Sequence, residues 1–152
     1  MKISLIQNRK ARHDYVLQDR FEAGLVLLGS EVKSLRAGKG NLANAYVLVE
    51  GSELFLSGAH ISEYSHASHF GHDPLRQRKL LLHKRQMNKI MGQIQRKGMT
   101  AVPLQIYLNE KGKIKLELAL AVGLKAHDKR HILKEREWNR EKQRVLKGDV
   151  SS

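Results

Sequence analysis

Cysteine is absent from the 152 residues, which excludes disulfides, thiolate catalysis and zinc knuckles and fits a reducing compartment. Long hydrophobic runs are missing as well. The longest apolar stretches, such as Leu118 to Val122, fall far short of the roughly 20 residues a bilayer span needs. Ile3 to Ile6, interrupted by Ser4, is too short for the core of a signal peptide. The expectation is a cytoplasmic protein with no membrane partner. Aromatic residues make up 5% of the chain. Most of Tyr15, Phe21, Tyr46, Phe55 and Tyr107 are explicable as core, which leaves few stacking platforms for a general single-strand binder. Convergent carboxylates and a phosphate-cradling glycine loop are also missing, so an enzyme is not expected.

Positive charge, by contrast, is abundant. Lysine and arginine number 28 against 15 aspartates and glutamates, a formal charge of +13, and such a surplus attracts polyanions. Its placement says more than its total. From Pro74 to Asn109 there are eight bases (Arg76, Arg78, Lys79, Lys84, Arg85, Lys89, Arg96, Lys97) and no acid. A solvated protein face normally mixes both signs to limit self-repulsion. So long an unbalanced stretch favours a nucleic-acid site.

The length suits one compact domain with an appendage. Residues 1–12 read as a basic arm, with Lys2, Arg9, Lys10 and Arg12 and no acid. The first strand-like run is Tyr15-Val16-Leu17, and a second is Gly24 to Leu28. Ser30 fits an N-cap and Gly38 a helix stop, with Leu28, Val32 and Leu35 at helical spacing between them. Alternation over 45–50 and 53–57, broken at Gly51-Ser52, reads as a hairpin. Residues 62–73 read as a polar loop. His83 to Gln86 resembles a capping pair, and Met87, Ile90, Met91 and Ile94 mark a helix ending near Gly98. Strands follow over 100–108 and 113–121. Pro103, lacking an N–H, belongs at an edge or bulge. Five or six short strands around two helices suggest a mainly β fold with flanking helices, a small closed antiparallel OB-like barrel over 13–121.

From 122 to 152 the apolar groups thin out. Lys134 to Lys147 is rich in helix formers, and Lys134/Glu137 and Glu141/Arg144 stand at i, i+3. An isolated helix of this length is marginal in water. This basic tail is therefore expected to be disordered when free and to become helical on its partner.

In the histidine-rich loop, His66, His69 and His72 with Asp73 stand at spacings that would converge on a helix. The glycine and the loop reading argue against that geometry, and no metal site or cofactor is expected.

Several blocks resemble the SmpB family of SsrA-binding proteins. They are Asn8-Arg9-Lys10-Ala11-Arg12-His13-Asp14-Tyr15, Phe21-Glu22-Ala23-Gly24, and Gly29 through Lys39. Further along come His72-Asp73-Pro74-Leu75-Arg76, Arg78 through Arg85, Val102-Pro103-Leu104, His127-Asp128-Lys129-Arg130 and Lys134-Glu135-Arg136-Glu137. They run in order along nearly the whole chain. One departure is Ala121 to Ala126, where Val122 and Leu124 replace two lysines usual in the family.

The resemblance implies an adaptor that binds the tRNA-like domain of transfer-messenger RNA and delivers it to stalled ribosomes for trans-translation. It implies that the protein stands in for an anticodon arm, with its tail in the empty messenger channel. Elongation factor Tu is implied through the charged complex. Positions set against transfer-messenger RNA are Glu22, Leu81 and His83, and the electrostatic candidates are Arg9, Lys10, Arg12, Lys33, Arg36, Lys39, Arg76, Arg78, Lys79, Lys84 and Arg85. Facing the decoding centre and messenger channel would be His13, His127, Asp128, Lys129, Arg130, Lys134, Arg136, Trp138, Arg144, Val145 and Leu146. Without the resemblance, Leu81 reads as core, His83 as a cap and Glu22 as a solvated carboxylate. Trp138 lies in a segment with no core to enter, and stacking on a base is worth roughly 1 to 3 kcal/mol.

Overall fold

The structure is a computed structural model that describes residues 2–63 and 71–123. The elements in chain order are β1 (Ile3–Gln7), α1 (Arg9–Asp14), β2 (Tyr15–Leu25), α2 (Gly29–Arg36), β3 (Gly40–Asn41), β4 (Tyr46–Glu50), β5 (Glu53–Ser57), β6 (His60–Ile61), β7 (Arg78–Leu81), α3 (Lys84–Lys97), β8 (Thr100–Leu108) and β9 (Ile114–Gly123). Seven strands form one sheet in the order β1-β8-β9-β2-β7-β5-β4, with β3 and β6 as a separate two-residue ladder.

The mainly β architecture agrees with the sequence reading, and the closed barrel does not. β1 and β4 are the two ends of the large sheet, and no sheet among the described residues closes on itself. Closure needs a ladder between those ends. In its place the short β3–β6 ladder stands next to β1, while β4 comes up beside β8 without pairing to it.

Local signals account for much of the rest. The hairpin turns at Gly51-Ser52 and pairs Tyr46↔Ser57 through Glu50↔Glu53. Helix α3 buries Ile90 and packs Met87, Met91 and Ile94 on the core, then stops at Gly98. Gly38, just past α2, has φ +71, a left-handed conformation that glycine adopts without steric cost and that ends a helix. Ser30, however, is not the N-cap. The helix starts one residue earlier, and the Leu28 N–H at its cap position is satisfied by the carboxylate of Glu31 at 2.7 Å.

Two strands of the large sheet, β1 and β7, are absent from the sequence reading. Ile3–Gln7 is not part of a free arm but an edge strand paired antiparallel to β8. Arg78–Leu81 is a strand between β2 and β5. The runs at Tyr15 and Gly24 belong to one long strand, bulged between Leu17 and Arg20. Pro103 does fall at a bulge, since Pro103↔Leu118 is followed by Gln105↔Glu117 and Leu104 is left without an opposite residue.

The sheet separates two apolar clusters. The main core takes Phe21, Ala23, Leu54, Leu56, Leu80, Ile106, Leu116 and Leu118 from its inner face. On the outer face, Ala11 of α1 packs with Val102, Leu104, Ala119 and Ala121. Helix α1 thus covers one end of the outer face, and the other end is polar.

Candidate nucleic-acid interface

Register builds the polar end of the outer face as two cross-strand rows. Gln7, Gln105, Glu117 and Glu22 align across β1, β8, β9 and β2. Beside them Ser4, Tyr107, Lys115, Gly24 and Leu81 align across β1, β8, β9, β2 and β7. Glu22 and Leu81, two of the positions singled out in the sequence, therefore share one face. Leu81 is 51% exposed, so it is not the core residue its type suggests. A Cβ on Gly24 would stand 3.2 Å from the Leu81 Cβ, and glycine there lets Leu81 lie close over β2.

Two carboxylates, Glu22 and Glu117, face each other across β2 and β9. Like charges opposite one another are unfavourable unless neutralised. Glu117 is neutralised locally, with Lys2 at 3.8 Å, Arg20 at 3.7 Å and the Gln105 amide donating at 3.3 Å. Glu22 is exposed and accepts a hydrogen bond from the Tyr107 hydroxyl. Tyr107 is itself buried, with Lys2 Nζ 4.8 Å from its ring centroid. Burial, then the bond to Glu22, then the charges of Glu22 and Glu117 push its hydroxyl pKa above the ordinary value. Tyr107 stays a donor throughout the neutral range.

The basic candidates fall into two groups. Arg9, Lys10, Lys33, Arg36, Lys39, Lys84 and Arg85 are exposed. Arg12 lies in α1. His13 is exposed and lines a cleft with Gln7, Asn8, Arg9 and Glu117. His83 holds the cap position of α3, with no hydrogen bond from its side chain to the helix. Neither α1 nor α3 has an acid in its first turn, where each carries Arg and Lys instead. That is the reverse of what the helix dipole favours. Their placement is not explained by helix stability, and it suits a polyanion.

Arg76 and Arg78 belong to a different arrangement. Arg78 is fully buried, with Nε donating to Glu31 Oε2 at 2.7 Å and Nη1 to the Ala59 carbonyl at 2.8 Å. Arg76, partly exposed, reaches Glu31 Oε1 at 2.6 Å and the Val26 carbonyl at 2.9 Å. Arg78 is therefore corrected from an RNA-facing candidate to an internal one. Its charge is spent on a buried carboxylate that ties α2 to β7. Lys79 is shared with Glu53 at 2.9 Å on the surface.

His72 is another internal residue. Its Nε2–H donates to the Ile61 carbonyl at 2.8 Å, and Nδ1 meets the Ser30 hydroxyl at 2.8 Å. Both ring nitrogens are occupied, which argues further against a metal there. His66 and His69 lie outside the described residues, as do His127, Asp128, Lys129, Arg130, Lys134, Arg136, Trp138, Arg144, Val145 and Leu146. Among the described residues no helix is long and apolar enough to cross a membrane.

Sequence reasoning missed Glu31 and Tyr107. No capping signature marks Glu31, because the cap residue is Leu28, whose side chain has no oxygen to complete the pair. Nothing local marks Tyr107, whose face depends on the bulge before it.

Fold and surface define a small mainly β protein whose exterior is strongly basic and whose outer sheet face keeps an exposed carboxylate. The family described as SmpB protein matches residues 5–148, and the chain belongs to that family. It is 57% identical over 143 residues to the SsrA-binding protein of Agrobacterium fabrum, covering 94% of this chain and 89% of that one. To the SsrA-binding protein of Caulobacter vibrioides it is 52% identical over 149 residues, covering 98% of each. A solved structure described as "tmRNA-SmpB: a journey to the center of the bacterial ribosome" superposes with a TM-score of 0.66 at 48% identity, over 79% of this chain and 84% of that chain.

Proposed function

We propose that the protein is an RNA-binding adaptor that binds the tRNA-like domain of transfer-messenger RNA and delivers it to stalled ribosomes for trans-translation. The observation that carries this reading is the outer sheet face. It leaves Glu22 and Leu81 exposed in adjacent rows, on a body with exposed cation pairs at the starts of α1 and α3 and further exposed cations at and beyond the end of α2. Backbone phosphates are met by Arg9, Lys10, Arg12, Lys33, Arg36, Lys39, Lys84 and Arg85, which position the RNA without specifying it. Glu22 takes a donor such as a base amino group or a 2′-hydroxyl.

In this reading the protein works in the cytoplasm as an adaptor with no chemistry of its own. Elongation factor Tu accompanies it through the charged RNA. His13 and the tail from His127 to Leu146 face the decoding centre and messenger channel. Ordering a tail costs roughly 1 to 2 kcal/mol per residue of backbone, so the compensating contacts come from a large partner.

Two assays on one set of variants test the division between body and tail. Lys129→Ala/Arg130→Ala and Trp138→Ala should keep wild-type affinity for transfer-messenger RNA and lose peptide tagging on ribosomes stalled at a message end. Truncation after Gly123 should leave a cooperative unfolding transition and most of the RNA affinity. That affinity should fall steeply with KCl, since each neutralised phosphate releases about 0.7 to 0.9 of a counterion. Salt-independent binding, or tail variants that tag normally, would overturn the reading.

A further inference from the structure

We infer that Tyr107 is the positioning residue of the RNA-binding carboxylate, fixing Glu22 in one orientation for its partner on the RNA; this rests on reading Glu22 as an RNA contact. An exposed glutamate at the surface of a strand samples several rotamers, and a binding partner must then meet the entropy of ordering it. Here that ordering is already done. The Tyr107 hydroxyl donates to Oε2 of Glu22 across β8 and β2, strands separated by β9. It leaves Oε1 as an acceptor toward solvent.

Three observations make Tyr107 a holder rather than a second contact. Its side chain is buried, although it stands on the outer face beside Lys115 and Ser4. Lys2 lies over its ring and also bridges to Glu117. The opposing carboxylate, Glu117, is occupied by Lys2, Arg20 and Gln105, so it does not compete for the hydroxyl. Of the two facing carboxylates, the hydroxyl selects Glu22, and Glu22 is the exposed one. A phenol held neutral donates one proton in one direction. It sets the carboxylate without offering a charge that would attract phosphates indiscriminately.

The test is a double-mutant cycle on the full-length protein with transfer-messenger RNA, read by filter binding over a range of KCl. Tyr107→Phe keeps the ring and the Lys2 contact, so the variant should still unfold in one cooperative transition, its midpoint lowered only by the lost hydrogen bond to Glu22. Affinity should fall about two- to tenfold, the cost of ordering the released Glu22 side chain on binding. The salt slope should be unchanged, because no phosphate contact is lost, whereas Lys10→Ala should flatten it by about 0.7 to 0.9. Glu22→Ala, which removes both acceptor oxygens, should weaken binding at least as much, and adding Tyr107→Phe to it should cost nothing more. If Glu22→Ala weakens binding and Tyr107→Phe does not, the positioning role is overturned and the Glu22 contact stands. A further loss from Tyr107→Phe in the Glu22→Ala background also overturns it, since the hydroxyl would then act elsewhere. If Glu22→Ala binds as wild type, the contact and its positioning both fall.

Discussion

Glu22 and Glu31 carry the same carboxylate into opposite situations. Glu31 sits at the start of α2, fully buried, with two arginines and a backbone N–H converging on it. Glu22 sits on the outer face of β2, exposed, with a phenol as its partner among the described residues. The first carboxylate is consumed by the fold, and the second remains open. The same division runs through the arginines, where Arg78 is internal while Arg9, Arg36 and Arg85 face solvent. A charged residue in a recognisable motif therefore says little about recognition until its partners are known.

The comparison breaks most visibly in stability. Arg78→Ala leaves the Glu31 charge buried with one partner fewer, and breaking a buried pair costs about 3 to 5 kcal/mol. Glu22→Gln, at an exposed site, should stay within about 0.5 kcal/mol of wild type. Denaturant unfolding of both variants checks this, and equal losses would erase the distinction.

Acid should expose the buried carboxylate next. Burial acts to raise the Glu31 pKa, but hydrogen bonds from Arg76, the Leu28 N–H and Arg78 outweigh it and hold the value below its ordinary 4.5. The folded value is thus below the unfolded one. The stabilisation is present above pH 4.5 and is lost as pH falls through the lower folded value. Glu31→Gln should be less stable at neutral pH and lose less on acidification, read as a shallower acid limb in the stability curve.

A smaller effect sharpens the argument about open charges. Lys84 and Arg85 begin α3 against the helix dipole. Replacing both with glutamate should raise stability by about 0.3 to 1 kcal/mol per residue and weaken RNA binding. Opposite signs in the two assays mark residues retained for recognition, and a matching sign would count against that role. The smallest expected change is at Gly24. Its added Cβ would stand 3.2 Å from the Leu81 Cβ, an atom carried by the paired β7 backbone, so the end of β7 beside it must give by a few tenths of an ångström. Gly24→Ala should barely move the unfolding midpoint while displacing Leu81, visible as a modest loss of RNA affinity.

Which parts were legible follows from where each signal lies. The hairpin over 46–57 and helix α3 are written in local alternation and 3.6-residue spacing, so they were read with small boundary shifts. Strand β7 was not, because its first inward-facing residue is Arg78 and a buried arginine inverts the expected pattern. Strand β1 presents little more than Ile6 to the core. The family blocks identified Glu22 and Leu81, but only register places them side by side. Tyr107 could be found in no window of sequence, since its partner is 85 residues away.

That dependence traces back to Leu104. Val102 lies opposite Ala119 on the outer face, and after the unmatched Leu104 the outer positions of β8 are Gln105 and Tyr107. Asn8 clasps this point, donating from its backbone to the Leu104 carbonyl and from its side chain to that of Pro103. The extra residue works like a shift of reading frame. Take it into the plain two-residue alternation, and Tyr107 would turn inward while Ile106 took its place outside; delete it, and Pro103 and Gln105 alternate normally with both faces as they are. The run beyond the bulge is thus a counted length. A residue added to the paired run from Gln105 to Leu108 without a second bulge would exchange the wet and dry faces beyond it, whereas the Glu110-Lys111-Gly112 turn can be lengthened without moving any of them.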